Sequence, residues 1–163
     1  MKDFSQTIFA TEEVRELFGM FSSHGVRYLI SGGCAVMWYS GARYTRNIDI
    51  WMDRNAANAR RLFAILRAYG APLACLTADD FAQPGSFYQM GRPPLRIDDM
   101  ANPRGISFEE AWQERESVSF GGVRFFFLSR RHLIEAKLAA GRPQDMVDAR
   151  QLIDGFFSTK RLL

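Results

Sequence analysis

The sequence predicts a single α/β domain in which helices pack against a sheet, and three observations carry that reading. Val26 to Asp53 runs as an apolar strand, a Gly-Gly turn, a short helix and a second strand. Helix starts with capping residues at Thr11, Asn55, Ser107 and Ser129 recur between runs of strand length. A chain of 163 residues with 47% hydrophobic content can bury one core, so residues 1–163 read as one domain whose C-terminal helices begin at about 129.

Taken in order, Thr11 caps a helix to about Ser23, with Glu12 and Glu13 in its first turn and Val14, Leu17, Phe18 and Phe21 as its buried stripe. Gly25 stops it. Val26 to Ser31 is a buried strand, Gly32-Gly33 turns the chain, and Cys34 to Tyr39 forms a short helix ending at Ser40-Gly41. Arg46 to Met52 is the second strand, placing Asn47, Asp49, Trp51 and Asp53 on one face and Ile48, Ile50 and Met52 on the other. Asn55 then caps a helix of about fifteen residues, with Ala59, Leu62, Phe63, Leu66 and Tyr69 inward and Gly70 at its end.

From Ala71 to Pro94 the pattern is loop-rich, with a helical turn at Ala78 to Phe81 and a strand candidate at Phe87 to Met90. Pro94 to Met100 is a further short strand, carrying Asp98 and Asp99 on opposite faces so that only one can meet a shared site. Ser107 and Glu110 have capping-box spacing. Val118 to Phe120 and Val123 to Leu128 flank Gly121-Gly122 as a hairpin. Ser129 caps a helix through Ala140, and another runs from about Pro143 to Phe156 with Met146, Ala149, Leu152 and Ile153 inward and Asp145 and Asp148 on or near the other side.

The net charge of +3 is mild and the arginines are dispersed, so charge alone does not point to nucleic acid. Cys34 and Cys75 lack metal-ligand spacing and read as buried thiols in a reducing compartment. With no apolar signal core and no long apolar span, the expectation is a cytoplasmic protein without a membrane segment.

The chemistry concentrates on the second strand. Side chains at i and i+2 share a face about 6.5–7 Å apart at Cα, a spacing that lets Asn47 and Asp49 grip metal ions between them. Mg²⁺ takes oxygen ligands, commonly one or two carboxylates with substrate phosphates. Asp49 offers a carboxylate and Asn47 a neutral amide. Glycines after a buried strand allow close backbone approach, and the following helix offers N–H groups to a phosphate, although Gly-Gly pairs serve purely structural turns about as often.

The order Gly32-Gly33-Cys34-Ala35, then Gly41, Arg43, Thr45, Asn47 and Asp49, then Arg96-Ile97-Asp98, resembles the nucleotidyltransferase superfamily of the DNA polymerase β type. Within it the chain looks most like the small bacterial branch that includes abortive-infection and toxin-antitoxin nucleotidyltransferases. Lys137 to Asp145, followed by Asp148, matches that branch's C-terminal pattern, so the likeness runs from about Val26 to Leu152. The resemblance implies a nucleotidyltransferase-like mixed sheet flanked by helices. It implies a nucleoside triphosphate at Gly32 and Gly33, with Arg43, Thr45 and Lys137 as further nucleotide-binding residues. It also implies Mg²⁺, or Mn²⁺ in its place, on Asn47, Asp49 and Asp98, with Asp49 and Asp98 catalytic.

The implied reaction is transfer of a nucleotidyl group to a hydroxyl on a small molecule, protein or RNA. Asn47 stands where the family has its first aspartate, and removing that charge weakens a site whose chemistry is electrostatic. The alternative reading is therefore a catalytically impaired binding or regulatory module with a protein partner, such as a toxin-antitoxin component. Asp53 and Asp99 are the residues placed to compensate. Arg43 and Thr45 either brace the turn or contact phosphate, and Lys137 is either a nucleotide or carboxylate contact or a solvated charge. An Arg142–Asp145 ion pair fixing the helix junction is at least as well supported as ligand contact. His24 and His132 receive no catalytic role, and Trp51 is a core or cleft-lining residue.

Overall fold

The computed structural model describes residues 8–41, 45–85, 88–92, 95–99, 103 and 105–160, with side chains described throughout except at 92, 95–99 and 156–160. After a short helical turn at Ile8–Ala10, the chain forms α1 (Glu12–Ser23), β1 (Tyr28–Ser31), α2 (Gly32–Ser40), β2 (Asn47–Met52), α3 (Ala56–Tyr69) and α4 (Ala78–Ala82). There follow β3 (Tyr88–Arg92), β4 (Leu95–Asp99), α5 (Phe108–Gln113), β5 (Glu116–Phe120), β6 (Val123–Phe127), α6 (Arg130–Ala140) and α7 (Pro143–Lys160). The strands make one sheet in the order β3-β4-β2-β1-β6-β5. Parallel β2–β4 and β1–β6 pairs combine with antiparallel β1–β2, β3–β4 and β5–β6 pairs, which makes the sheet mixed.

Alternation along β1 and β2 divides the sheet into two faces. Tyr28 pairs with Met52 and Ile30 with Ile50, so these side chains share one face, where Leu17 and Phe21 of α1, Leu62 and Leu66 of α3 and Phe81 of α4 close over Ile50 and Met52. Phe18, Phe21 and Tyr28 interlock there with centroids 5.1–5.5 Å apart. Leu29 pairs with Trp51 and Ser31 with Asp49 on the opposite face. Trp51 is fully buried against Phe108 of α5, so it is core and lines no cleft.

The capping chemistry follows the sequence in most places. Asn55 accepts the backbone N–H of Asn58, and Ser107 and Glu110 cap α5 reciprocally. Thr11 occupies the α1 cap, but its hydroxyl donates back to the Ile8 carbonyl at 2.8 Å. The Gly121-Gly122 hairpin turn has φ of 56° and 79°, the left-handed pair that a two-residue turn of this twist requires.

Three expectations require correction. Helix α2 starts on Gly32 itself, with no separate turn between strand and helix. Cys75 is exposed, while Cys34 is buried as expected. The inward face of α7 is Asp145, Asp148, Ala149 and Leu152, whereas Met146 and Ile153 are exposed. Ala149 and Leu152 face inward as the period predicts, but the arc is turned toward Asp145 and Asp148, whose burial hydrophobicity alone does not predict. Among the described residues, no helix is long and apolar enough to cross a membrane.

Candidate active site

Asp49 and Gly32 meet where β1 ends. Gly32 has φ +56°, and a Cβ built there would overlap the Asp49 carboxylate, lying 2.8 Å from its Cγ and 2.9 Å from its Cβ. Only glycine allows the carboxylate to lie across the first turn of α2. Gly32 and Gly33 are both buried, and the helix that starts on them presents its first N–H groups at the same end of the strand. Ser31, 3% exposed, stands beside Asp49 in register and occupies the α2 cap.

The β2–β4 pairing settles which later aspartate shares this row. Asp49 lies opposite Asp98 in parallel register, and Asp99 lies opposite Ile50. A row of Ser31, Asp49, Asp98 and Gln89 thus crosses β1, β2, β4 and β3. Asp99 belongs to the row of Ile50, whose side chain sits with the α1 and α3 core. The side chain of Asp98 lies outside the described residues, as does Arg43 altogether.

Asn47 is half-buried at the start of β2, and its backbone is tightly tied. Its carbonyl accepts the Cys34 thiol at 2.8 Å and the Thr45 hydroxyl at 3.3 Å, while its N–H donates to Thr45 Oγ1 at 3.3 Å. Thr45 therefore braces the strand entry. Cys34, in the first turn of α2, links the helix to the strand that carries Asn47 and Asp49. The sequence reads Cys34 as a buried thiol, and its position two residues after Gly32 is the signal in the sequence for this linking contact.

Other candidate residues lie elsewhere. Asp53 is bound to Arg27 at 3.2 Å, four residues and about 13 Å along the strand from Asp49, so it supplies no replacement for the missing charge at 47. The Lys137 ammonium sits 3.1 Å from Asp145 and 2.9 Å from Asp148, and these two aspartates are 2% and 0% exposed. It therefore makes carboxylate contacts and is not a solvated charge. Arg142 pairs with Asp145 at 2.6 Å, the junction-fixing contact expected, and Gln144 donates to Asp148 at 2.9 Å. Burial pushes the Asp145 carboxyl up, but hydrogen bonds from Arg142 and Lys137 outweigh it and hold the group below the usual carboxylate range. His132 is buried, with Ser129 Oγ 3.1 Å from Nδ1 and Arg131 Nη2 2.9 Å from Nε2, a local knot at the start of α6.

As a donor set, Asp49 and the Asn47 amide offer hard oxygens, which suit Mg²⁺ or Mn²⁺ better than a soft metal. Because residue 32 is a glycine, the Asp49 carboxylate occupies the space that a side chain there would fill. Among the described residues no cluster of three or more His, Cys, Asp or Glu side chains is placed to hold a metal, so a complete site requires Asp98 or a ligand oxygen in addition.

Comparison with known proteins converges on one superfamily. The sequence model of a family described as "Nucleotidyltransferase of unknown function (DUF6036)" matches residues 7–154. Among solved structures, an antigenic nucleotidyltransferase-like protein from Paracoccidioides brasiliensis is similar with a TM-score of 0.56 at 18% identity, over 87% of this chain and 72% of that one. The lincosamide antibiotic adenylyltransferase LnuA, solved with lincomycin bound, is similar with a TM-score of 0.54 at 18% identity, over 87% of this chain and 96% of that one. At these identities the likeness is one of fold. No curated protein sequence gives a significant match.

Proposed function

Because the chain belongs to the family of nucleotidyltransferases of unknown function whose model spans residues 7–154, we propose that it binds a nucleoside triphosphate with Mg²⁺ and transfers the nucleotidyl group to a hydroxyl acceptor, with pyrophosphate as the leaving group. The observation that carries this reading is the contact of the Asp49 carboxylate with Gly32 at the start of α2, with Asp98 beside Asp49 in register. It joins an anion-accepting helix start and a cation-accepting carboxylate at one point, the combination that a metal-bound polyphosphate needs.

In this assignment Asp49 would hold the metal, with Asn47 lending its amide oxygen and Asp98 the neighbouring carboxylate. The N–H groups of the first α2 turn bind and orient the polyphosphate, while Thr45 and Cys34 keep Asn47 in place. Asp98 is the candidate to accept the acceptor hydroxyl's proton. When bound, the metal supplies charge neutralisation at the phosphoryl oxygens. Lys137 serves as the internal cation that joins α6 to α7. Acceptors in view are a small molecule, a protein or an RNA.

The test is a thermal-shift screen of the four ribonucleoside triphosphates with and without Mg²⁺ or Mn²⁺, followed by incubation with labelled triphosphate. Metal-dependent stabilisation that disappears in Asp49→Ala supports the site, and labelled product that disappears with it supports the reaction. No stabilisation by any triphosphate in the wild type or in Asn47→Asp overturns the assignment. Stabilisation without transfer, with transfer appearing in Asn47→Asp, identifies a binding module whose catalytic centre lacks a charge at 47.

A further inference from the structure

Just before β1, Arg27 joins Arg115 around one indole, with Arg124 close enough for its charge to act on Arg115. The Arg27 guanidinium lies 4.8 Å from the Trp112 ring centroid and 5.4 Å from that of Phe108. Arg115 covers Trp112 at 3.9 Å and Phe126 at 5.1 Å. Arg27 has acidic partners, Asp53 at 3.2 Å and Glu109 at 2.7 Å. Arg115 differs. Its Nη1 donates to the Trp112 carbonyl at 2.7 Å, its buried Nε has no acceptor, and it has no carboxylate partner among the described residues. Burial, and then the charges of Arg27 and Arg124, all disfavour its protonated form, yet a guanidinium does not lose its proton at neutral pH.

The hairpin supplies the rest of the surface. Antiparallel register sets Ser119 opposite Arg124 and Ser117 opposite Phe126, so both serines stand on the sheet face that carries Arg124 and the ring beneath Arg115. Ser117, Ser119 and Arg124 are exposed. Arg124 likewise has no carboxylate partner among the described residues. Two guanidiniums and two hydroxyls therefore share one patch, with like charges near each other and no carboxylate paired with Arg115 or Arg124 among the described residues. Such crowding is unfavourable unless something negative binds.

We propose that Arg115 and Arg124, with the hydroxyls of Ser117 and Ser119, form a binding site for a phosphate-type oxyanion, separate from the Asp49–Gly32 site. The exposed Arg124 fork matches the tetrahedral oxyanion bidentately, Arg115 adds its charge and its remaining N–H groups, and the serine hydroxyls complete the shell. The anion is either free inorganic phosphate or a phosphoryl group carried on a larger molecule.

Thermal shift against inorganic phosphate, with NaCl at matched ionic strength as the reference and no nucleotide present, tests the site. Glycerol 3-phosphate is the parallel probe for a carried phosphoryl group. The expected result is saturable stabilisation by at least one of them beyond the chloride control. Tighter binding of the ester indicates a carried phosphoryl group, and tighter binding of phosphate a free anion. Arg124→Gln removes an exposed charge and should weaken Kd by about tenfold, the usual scale for losing one charge-assisted contact, while the Mg²⁺-triphosphate response at Asp49 stays as in the wild type. Arg115→Gln should weaken binding at least as much. The assignment is overturned by the absence of any saturable shift for both probes, or by unchanged binding in Arg124→Gln and Arg115→Gln alike.

Discussion

The carboxylate of Asp49 lies against Gly32 so closely that a side chain at 32 would occupy the same space. Sheet and helix are thereby locked at one point, and the lock is made of the two residue types that a polyphosphate site uses. Gly32→Ala meets two penalties. A left-handed backbone costs an alanine about 1–2 kcal/mol, and forcing the Asp49 carboxylate aside adds an overpacking term of about 1–3 kcal/mol. Gly41 is the internal control, since its φ of 68° is similar but nothing lies within 4 Å of a Cβ there. Urea denaturation should show Gly41→Ala losing only the backbone part and keeping triphosphate binding, and Gly32→Ala losing clearly more along with all binding. Equal losses for the two variants would mean that the contact with Asp49 is soft.

Asn47 precedes Asp49 by two residues on one face, so Asn47→Asp places two carboxylates about 6.5–7 Å apart at Cα. Without metal the pair repels, by about 1 kcal/mol at a partly exposed site. With Mg²⁺ the second negative ligand strengthens cation binding. The expected outcome is a variant with a lower Tm than the wild type in EDTA and about tenfold tighter Mg²⁺-dependent triphosphate binding. A variant equally destabilised with and without Mg²⁺ would place residue 47 outside the metal's reach.

Much of this arrangement is legible in the sequence because local chemistry and burial agree there. The β2 alternation, the Asn55 and Ser107 caps and the Gly121-Gly122 hairpin each follow from nearest-neighbour rules and hold in the structure. Which of Asp98 and Asp99 joins Asp49 is not local, since it depends on the β2–β4 register, and no period of two within β4 fixes that. The part of the inward face of α7 that holds Asp145 and Asp148 is non-local for a similar reason. Asp145 and Asp148 are buried with Lys137, on another helix, reaching both of them, and with Arg142 and Gln144 as further partners. Trp51 shares the strand face of Asp49, but Phe108, more than fifty residues later, covers it.

Lys137 is the single ammonium between two buried carboxylates, so Lys137→Met should be far more damaging than an ordinary helix-surface change. Breaking a buried pair by removing one partner typically costs about 3–5 kcal/mol. Adding Asp145→Asn and Asp148→Asn to the same chain removes the buried negative charge that Lys137 offsets and should restore most of the loss. Guanidinium denaturation of the single and triple variants measures both steps. A triple variant no more stable than the single one would show that lysine packing, and not charge, is what α6 and α7 require.

The same cluster sets an acid limit. Asp145 has a folded-state pKa below its ordinary value, so the folded state holds its negative form more strongly than the unfolded state does. Its contribution is complete above the unfolded pKa of about 4 and fades as pH falls through the lower folded value. Asp145→Asn should therefore lower stability at pH 7 and flatten its decline below about pH 4 relative to the wild type. Tm measured from pH 7 down to pH 2.5 on both proteins checks the sign, and parallel curves would contradict it.

Cys34 gives the last test, because its thiol joins α2 to the Asn47 carbonyl at 2.8 Å in a fully buried position. Cys34→Ser keeps a donor of similar reach, whereas Cys34→Ala leaves that carbonyl with Thr45 as its remaining side-chain donor. A lost hydrogen bond of this kind costs about 0.5–1.5 kcal/mol, and a buried void adds to it. If the bond positions β2, Cys34→Ala should weaken Mg²⁺-dependent triphosphate binding while Cys34→Ser retains it, even though the serine protein is itself less stable for burying a more polar group. Two variants that lose stability equally and bind triphosphate equally would reduce Cys34 to a space-filling residue.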